Sequence, residues 1–390
     1  MPWKEVLPME EKYSFILKYN EGLWSVTELC REYSISRKTA YKLINRYQAH
    51  GFDGLKDRSR RPKHCPHGTS GTMIQKIVDV RRNHYKWGGK KIRRILLRDS
   101  NEENVPAEST IDHILGRLGM TKKRRRRRNL NLERGHLTEA ICANDVWCVD
   151  FKGWFKVGNG KVCYPLTVTD LKSRYILSCQ VLPRANHEHV YPVFERLFKS
   201  YGLPKIIRSD NGAPFATVGV CGLSRLSCWW LHLGIKPELI EPGHPEQNGA
   251  HERMHRTLKQ DTIKPPANSL RSQQRRFDEW RECFNKVRPH EALNMDVPSS
   301  YYSKSPRKYN GRWEKFDYPK EYVTRKIKRS GEISFDTQLC YIGQALEGAY
   351  VGLKQVESFK WNVYLGSKLL GELQTNAKLT LKSVTYVQAE

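Results

Sequence analysis

The chain has 390 residues, a formal charge of +27, 38 % hydrophobic and 11 % aromatic residues. That content builds packed cores rather than a disordered polymer, the length implies several domains of roughly 100 to 200 residues each, and the charge makes nucleic acid the default partner. No apolar run approaches the ~18 residues of a spanning helix, residues 1–20 hold no signal-like apolar stretch, and the ten cysteines are scattered without a Cys-x-x-Cys pair; membrane insertion and a disulfide scaffold are excluded, and a cytoplasmic, nucleoid-associated protein with reduced thiols is expected.

Helical spacing over residues 9–21 is followed by a second helix that Ser25 can cap, running through Val26, Leu29, Cys30 and Tyr33. Ser34, Ile35 and Ser36 form a turn, and a third helix covers residues 37–48. Leu29, Tyr33, Ile35, Ala40 and Leu43 can close a small core, leaving Arg37, Lys38, Thr39, Tyr41 and Lys42 outward. This is helix-turn-helix spacing, which presents a helix N-terminus to a DNA major groove. The alternative is a helical hairpin that packs on another surface; the basic outward face and the Arg- and Lys-rich loop at 51–62 favour DNA, and residues 1–62 are assigned to this unit.

Helices near 74–85, 90–98 and 109–118 repeat the scheme, so residues 70–120 read as a second helix-turn-helix-like unit, with a less basic face over 110–117. His64, Cys65 and His67 resemble half a zinc site, but no second half follows at the usual spacing. Residues 122–128 are an unbroken basic run that cannot pack in a core, which makes 121–140 a linker. More than half of the net charge lies in residues 1–134, so the linker is expected to lie along DNA; a solvated spacer or a nuclear-import signal is the alternative.

From Asp145 the period becomes strand-like, with apolar or β-branched runs at 146–155, 162–169 and 175–181 that suggest three antiparallel strands. Cys148, Cys163 and Cys179 sit in these runs as small core residues. A helix at 187–201, a strand at Ile206 and Ile207, a helix at 226–233 and a strand at 235–240 complete the order of an RNase H-like α/β domain, assigned to 141–305. Asp150 ends the first strand and Asp210 the fourth, where an α/β sheet forms its ligand crevice. If those strands are neighbours the two carboxylates meet, and Glu252, on a helix at 250–259, can face the same crevice.

Crowded carboxylates repel unless cations neutralise them, and hard oxygen ligands suit Mg²⁺ or Mn²⁺. Two such ions about 3.5 to 4 Å apart activate an attacking oxygen and stabilise a leaving one in phosphoryl transfer. Among competing acids, Asp145 opens its strand, Asp170 begins a turn, Glu246 precedes a Gln-Asn-Gly loop, and Asp261 lies more than two turns beyond Glu252 and reads as solvated. Arg253, Arg256 and Lys259 follow Glu252 on its helix and suit DNA phosphate, with Asn248 in the loop before them; an ordinary solvated basic helix is the alternative. Strand-like runs at 322–327, 332–335, 338–342, 350–353 and 361–365, punctuated by glycine, predict a small β-barrel over 318–386. The expected fold class is therefore multidomain: N-terminal all-α helix-turn-helix units, a central α/β RNase H-like domain and a C-terminal small β-barrel.

Val149-Asp150-Phe151, Ser209-Asp210-Asn211-Gly212, and the run from Pro245 through Asn248, Gly249 and Glu252 to Arg253 resemble the three acidic motifs of integrases and DDE transposases. Within that superfamily the chain most resembles bacterial insertion-sequence transposases of the group numbered four-eight-one. Gly222-Leu223-Ser224-Arg225-Leu226, His255-Arg256-Thr257-Leu258-Lys259, and the run from Asn285 through Arg288 and His290 to Leu293 support the likeness, which spans nearly all of residues 1–305. No chemistry is assigned to Arg288 or His290, which could equally stabilise the fold.

The resemblance implies a metal-dependent polynucleotidyl transferase that binds the double-stranded ends of a mobile element, hydrolyses phosphodiester bonds and joins 3′-hydroxyl ends to target DNA. Asp150, Asp210 and Glu252 are its implied catalytic and metal-binding residues, holding two Mg²⁺ or Mn²⁺ ions, in a homo-oligomer of at least two chains. It also implies an SH3-like tail whose Arg325, Lys326, Lys328 and Arg329 suit phosphate; a plain packing module is the alternative. The rival readings are a non-catalytic helix-turn-helix regulator derived from a transposase, and a metal nuclease without joining activity. Two departures stand out: the 41 residues between Asp210 and Glu252 exceed the retroviral spacing and fit an insertion around 217–230, and helix-turn-helix units replace the retroviral zinc-binding bundle.

Overall fold

In a computed structural model, residues 8–58, 68–99, 104–121, 137–217, 219–241, 247, 249–312, 315–375 and 379–383 are described. The basic run at 122–128, the His64, Cys65 and His67 group, Glu246 and Asn248 fall outside them. The chain divides into two units, Met1–Ser70 and Gly71–Glu390.

In the first unit, α1 (Pro8–Asn20), α2 (Val26–Glu32) and α3 (Arg37–His50) close a core of Phe15, Ile16, Leu29, Ala40, Leu43, Ile44 and Leu55. Ser25 caps α2 in a reciprocal box with Glu28, and Ser36 caps α3, which fixes the turn between them. Tyr33 and Ile35 pack partly buried against this core, while Arg37, Lys38, Thr39, Tyr41 and Lys42 are exposed on α3.

The second unit opens with α4 (Gly71–Asn83), α5 (Gly89–Asp99) and α6 (Glu108–Arg117), whose apolar faces bury Met73, Ile77, Trp87, Ile92, Leu96, Ile111, Ile114 and Leu115. The basic side of α5 is engaged within the protein. Arg94 lies 2.5 Å from Asp296, Arg98 Nη2 donates to the Met295 carbonyl at 3.3 Å, and the Tyr85 hydroxyl, just after α4, donates to the Gln260 carbonyl.

The central sheet has β1 (Val146–Phe151) at its middle, antiparallel to β3 (Val162–Asp170) and parallel to β5 (Ile206–Ser209). β4 (Ile176–Leu182) pairs with β3, β6 (Lys236–Leu239) runs parallel to β5, and β2 (Phe155–Lys156) pairs with the start of β3. The run expected as one strand over 146–155 thus breaks after Phe151 and resumes at Phe155, because Gly153 takes a φ of +71° that an extended strand does not. This mixed sheet has the RNase H-like order.

Alternation along β1 divides its side chains between two layers. Trp147 and Val149 enter the main core with Val190, Phe194 and Phe198 of α7 (His187–Tyr201) and Trp229 and Trp230 of α8 (Arg225–His232). Val146 and Cys148 enter a separate cluster with Ile206, on the face that also carries Asp150. The segment expected as an insertion is therefore structural: α8 begins at a capping box of Ser224 and Ser227 and buries both tryptophans. That opposite face is covered by α9 (Gly249–Leu258) and α10 (Leu270–Lys286). At the root of β1, the Asn144 side-chain carbonyl accepts from the Trp147 indole at 3.0 Å and from the Tyr302 hydroxyl at 2.9 Å.

The tail departs from expectation. β7 (Val323–Lys326), β10 (Tyr350–Glu357), β11 (Lys360–Leu365), β12 (Lys368–Gln374) and β13 (Leu381–Ser383) make one open antiparallel sheet in the order β13-β12-β11-β10-β7. β8 (Glu332–Phe335) and β9 (Gln338–Tyr341) form a separate hairpin, so no closed barrel exists among the described residues. The chain leaves the ladder after β7 in a tight turn, where Gly331 N donates to the Lys328 carbonyl, and β8 then pairs with β9. The sheet and hairpin share a core of Ile333, Phe335, Val351, Leu353, Val363 and Leu365, which also takes in Cys228 of α8 and Leu223 just before it. Gly352 is required in β10 because a Cβ there would lie 2.4 Å from the Tyr318 ring.

Candidate active site

β1 and β5 are parallel neighbours, with Cys148 opposite Arg208, so Asp150 near the end of β1 and Asp210 just past the end of β5 emerge at the same edge of the sheet. Asp210 is held at its turn by the Gly212 N–H, 3.3 Å from Oδ1. α9 crosses this edge and carries Glu252, exposed, in its first turn. Burial and the negative charge of Asp210 push the Asp150 carboxyl up to about 7, and Glu252 adds a smaller increment of the same sign. The Asp150 side chain is 24 % exposed, open enough for a ligand to reach yet poorly hydrated.

The side chains beneath Asp150 follow from register. Asp150 faces Thr167 across the β1–β3 pair and Cys148 faces Thr169, which puts both threonines on the α9 side. α9 meets them with His251 and His255, one turn apart. The Thr167 hydroxyl lies 2.7 Å from His251 Nε2 and 2.6 Å from His255 Nε2, and donates to the Asp150 carbonyl at 3.0 Å. Thr169 Oγ1 is 3.0 Å from His251 Nδ1, and His255 Nδ1 is 3.5 Å from Asp150 Oδ2. Burial, and then the nearby Lys152 charge, lowers His251 to about 3; burial lowers His255 further, helped by His251 and Lys152. Both rings are neutral near pH 7. Asp150, His251 and His255 present ligand atoms within 4.8 Å of one another, the one metal-capable group of this kind among the described residues. Neither histidine is given a role from sequence, although His251 and His255 lie in the motifs that carry the resemblance, at i, i+4 spacing.

The competing acids have other roles. Asp145 accepts from the Ile141 and Cys142 N–H groups and pairs with Lys205 at 2.8 Å. Asp170 is buried and accepts from Asn144 N at 2.7 Å, Ser173 N at 2.8 Å and Ser173 Oγ at 2.6 Å. Asp261 is exposed, as expected, and also lies 3.3 Å from Lys86 and 3.9 Å from Arg288 and accepts from the Trp280 indole at 3.2 Å. It stands where the 71–121 helices meet the core, a contact between segments 175 residues apart that local patterning does not reveal. Arg253, Arg256 and Lys259 are exposed on or just beyond α9. Arg288 is largely buried and reaches Thr257 Oγ1 at 3.4 Å, and burial lowers the half-buried His290 to about 3.

Two models described as "Integrase core domain" match residues 141–245 and 233–298. A model described as "Helix-turn-helix domain" matches residues 11–63, and one described as "Homeodomain-like domain" matches 39–115. The uncharacterized 31.7 kDa protein of insertion element IS407 from Burkholderia multivorans is 24 % identical over 61 % of this chain and 83 % of its own. The uncharacterized 39.2 kDa protein of insertion element IS476 from Xanthomonas euvesicatoria is also 24 % identical, over 61 % of this chain and 67 % of its own. Among solved structures, the HTLV-2 integrase catalytic core domain in complex with magnesium aligns with 42 % of this chain and 100 % of its own, at 14 % identity and a TM-score of 0.34. No helix among the described residues is long and apolar enough to cross a membrane. The chain thus carries an integrase core domain across residues 141–298, preceded by helix-turn-helix sequence in residues 11–115.

Proposed function

We propose that this chain is a transposase that binds the ends of a mobile DNA element, hydrolyses phosphodiester bonds there and joins the freed 3′-hydroxyl ends to target DNA. Asp150, Asp210 and Glu252 are its catalytic carboxylates. The observation that carries this reading is the parallel pairing of β1 and β5, which brings Asp150 and Asp210 out at one edge of the sheet, where burial, then Asp210 and to a smaller degree Glu252 raise the Asp150 carboxyl. Carboxylates that feel one another in this way are relieved by cations, and their oxygen donors suit two Mg²⁺ or Mn²⁺ ions. When bound, that pair supplies activation of the attacking oxygen and charge stabilisation at the leaving oxygen of an in-line displacement.

The chain's own groups do the rest. Asp150 and Asp210 hold their side of the pocket on a buried sheet edge, and Glu252 approaches from α9. The neutral His251 and His255, bridged by Thr167, form a firm wall behind Asp150 and keep water from that flank. Arg253, Arg256 and Lys259 draw the phosphodiester backbone toward the carboxylates. Arg37, Lys38, Thr39, Tyr41 and Lys42 meet the element ends, and two ends held at once call for at least two chains. The insertion-element relatives support this reading, and the acidic motifs support a place in the group numbered four-eight-one.

The purified protein, labelled DNA from either flank of the reading frame, and Mg²⁺ test it. Cleaved and joined products are expected, with Asp150→Asn, Asp210→Asn and Glu252→Gln each losing both while still binding DNA. Binding without cleavage by the unmodified protein would replace this reading with that of a DNA-binding regulator.

A further inference from the structure

We propose that a cavity beside the carboxylate cluster, between the 71–121 helices and the core, is a binding pocket for phosphoryl groups. Its volume is about 660 Å³. Six cationic residues line it: Lys86 and Lys91 from the helical segment, Arg174 from the β3–β4 turn, Arg253 and Arg256 from α9, and Arg288 after α10. These come from four separate stretches of chain, and only Arg253 and Arg256 were connected with DNA from sequence.

The acids on the same wall do not balance Lys86, Lys91, Arg253, Arg256 and Arg288. Asp170 spends its oxygens on Asn144 and Ser173, and Glu291 lies 3.6 Å from Lys90. Asp261, behind the wall, is shared between Lys86 and Arg288. The Arg288 Nε is buried without a hydrogen-bond partner among the described residues. In agreement, burial and the Arg288 charge lower the Lys91 ammonium to about 8. Cations crowded in this way repel until an anion joins them, just as the carboxylates do until a cation joins them. Guanidinium forks match phosphate oxygens in paired hydrogen bonds, and lysine adds a point charge. Leu171, Met254 and Phe284 supply apolar wall, which shields those contacts from water.

The phosphoryl groups can come from a DNA backbone or from a free polyphosphate; only the first source rests on the transposase reading. Binding of pyrophosphate to the full chain is measured by titration calorimetry in EDTA, which removes metal from the carboxylates. Saturable binding is expected, weakened about tenfold by Lys91→Gln and by Lys86→Gln, with circular dichroism unchanged. Lys86 is exposed, so its variant serves even if Lys91→Gln fails to fold. In a second arm, displacement of labelled duplex by pyrophosphate together with weaker duplex binding by both variants assigns the pocket to DNA. Unchanged duplex binding with weakened pyrophosphate binding assigns it to a free polyphosphate. The proposal falls if both variants bind pyrophosphate and duplex as tightly as the unmodified chain, or if pyrophosphate does not bind and duplex affinity is unaltered. Neither arm involves cleavage, so failure here leaves the carboxylate reading standing, and failure of cleavage leaves the pocket standing.

Discussion

At Asp150, burial and the neighbouring negative charges raise the carboxyl from its ordinary 3.8 to about 7. The folded chain then holds this proton more tightly than the unfolded chain. Its contribution to stability is present below pH about 4, declines as pH rises, and is gone above pH about 7. In EDTA, Asp150→Asn should therefore melt higher than the unmodified chain at pH 8, with the gap closing as pH falls toward 4 in a series of thermal melts. A gap independent of pH would mean that the carboxyl is not raised. Adding Mg²⁺ at pH 8 should raise the melting temperature of the unmodified chain and leave the variant nearly unchanged, since cation binding replaces the repulsion that protonation otherwise relieves.

Among the elements, α8 shows how a short helix is placed by its cap. Ser224 is buried; its hydroxyl accepts from Ser227 N at 3.2 Å and donates to the Phe215 carbonyl at 2.9 Å, tying the helix start to the loop that follows Asp210. Ser224→Ala removes the cap and leaves a buried carbonyl without its donor, at a cost of about 1 to 3 kcal/mol. Urea unfolding should show that loss as a lower midpoint with an unchanged slope. A midpoint within error of the unmodified chain would show that packing of Trp229 and Trp230 alone positions the helix. Elsewhere local chemistry announced itself: Ser25 and Glu28 close their box as the sequence pattern requires, and α7 ends at Gly202, whose φ of +81° suits a residue without a side chain.

For the whole molecule, the tail is part of the hydrophobic structure that supports the core, through Leu223 and Cys228 packed with its strands and the Cys221 thiol 3.2 Å from the Leu370 carbonyl. A chain truncated after residue 312 should bind more of a hydrophobic dye and melt lower than the full chain; equal dye binding would show that this packing is dispensable. The sequence by itself determined the helices and most strands, because amphipathic period, caps and turn residues act within a few positions. It also supplied Asp150 and Asp210 as strand-end acids, since β1 and β5 are short runs bounded by turns. It did not reveal β12 and β13, or that the tail sheet stays open, because closure depends on which distant strands pair. Nor did it reveal that Thr167 and His255 back Asp150, that Asp261 meets Lys86, or that Lys91, Arg174 and Arg288 line one cavity. Those contacts join residues tens to hundreds of positions apart, and only the packing of α5, α9 and α10 against the sheet brings their side chains within range of each other's charge.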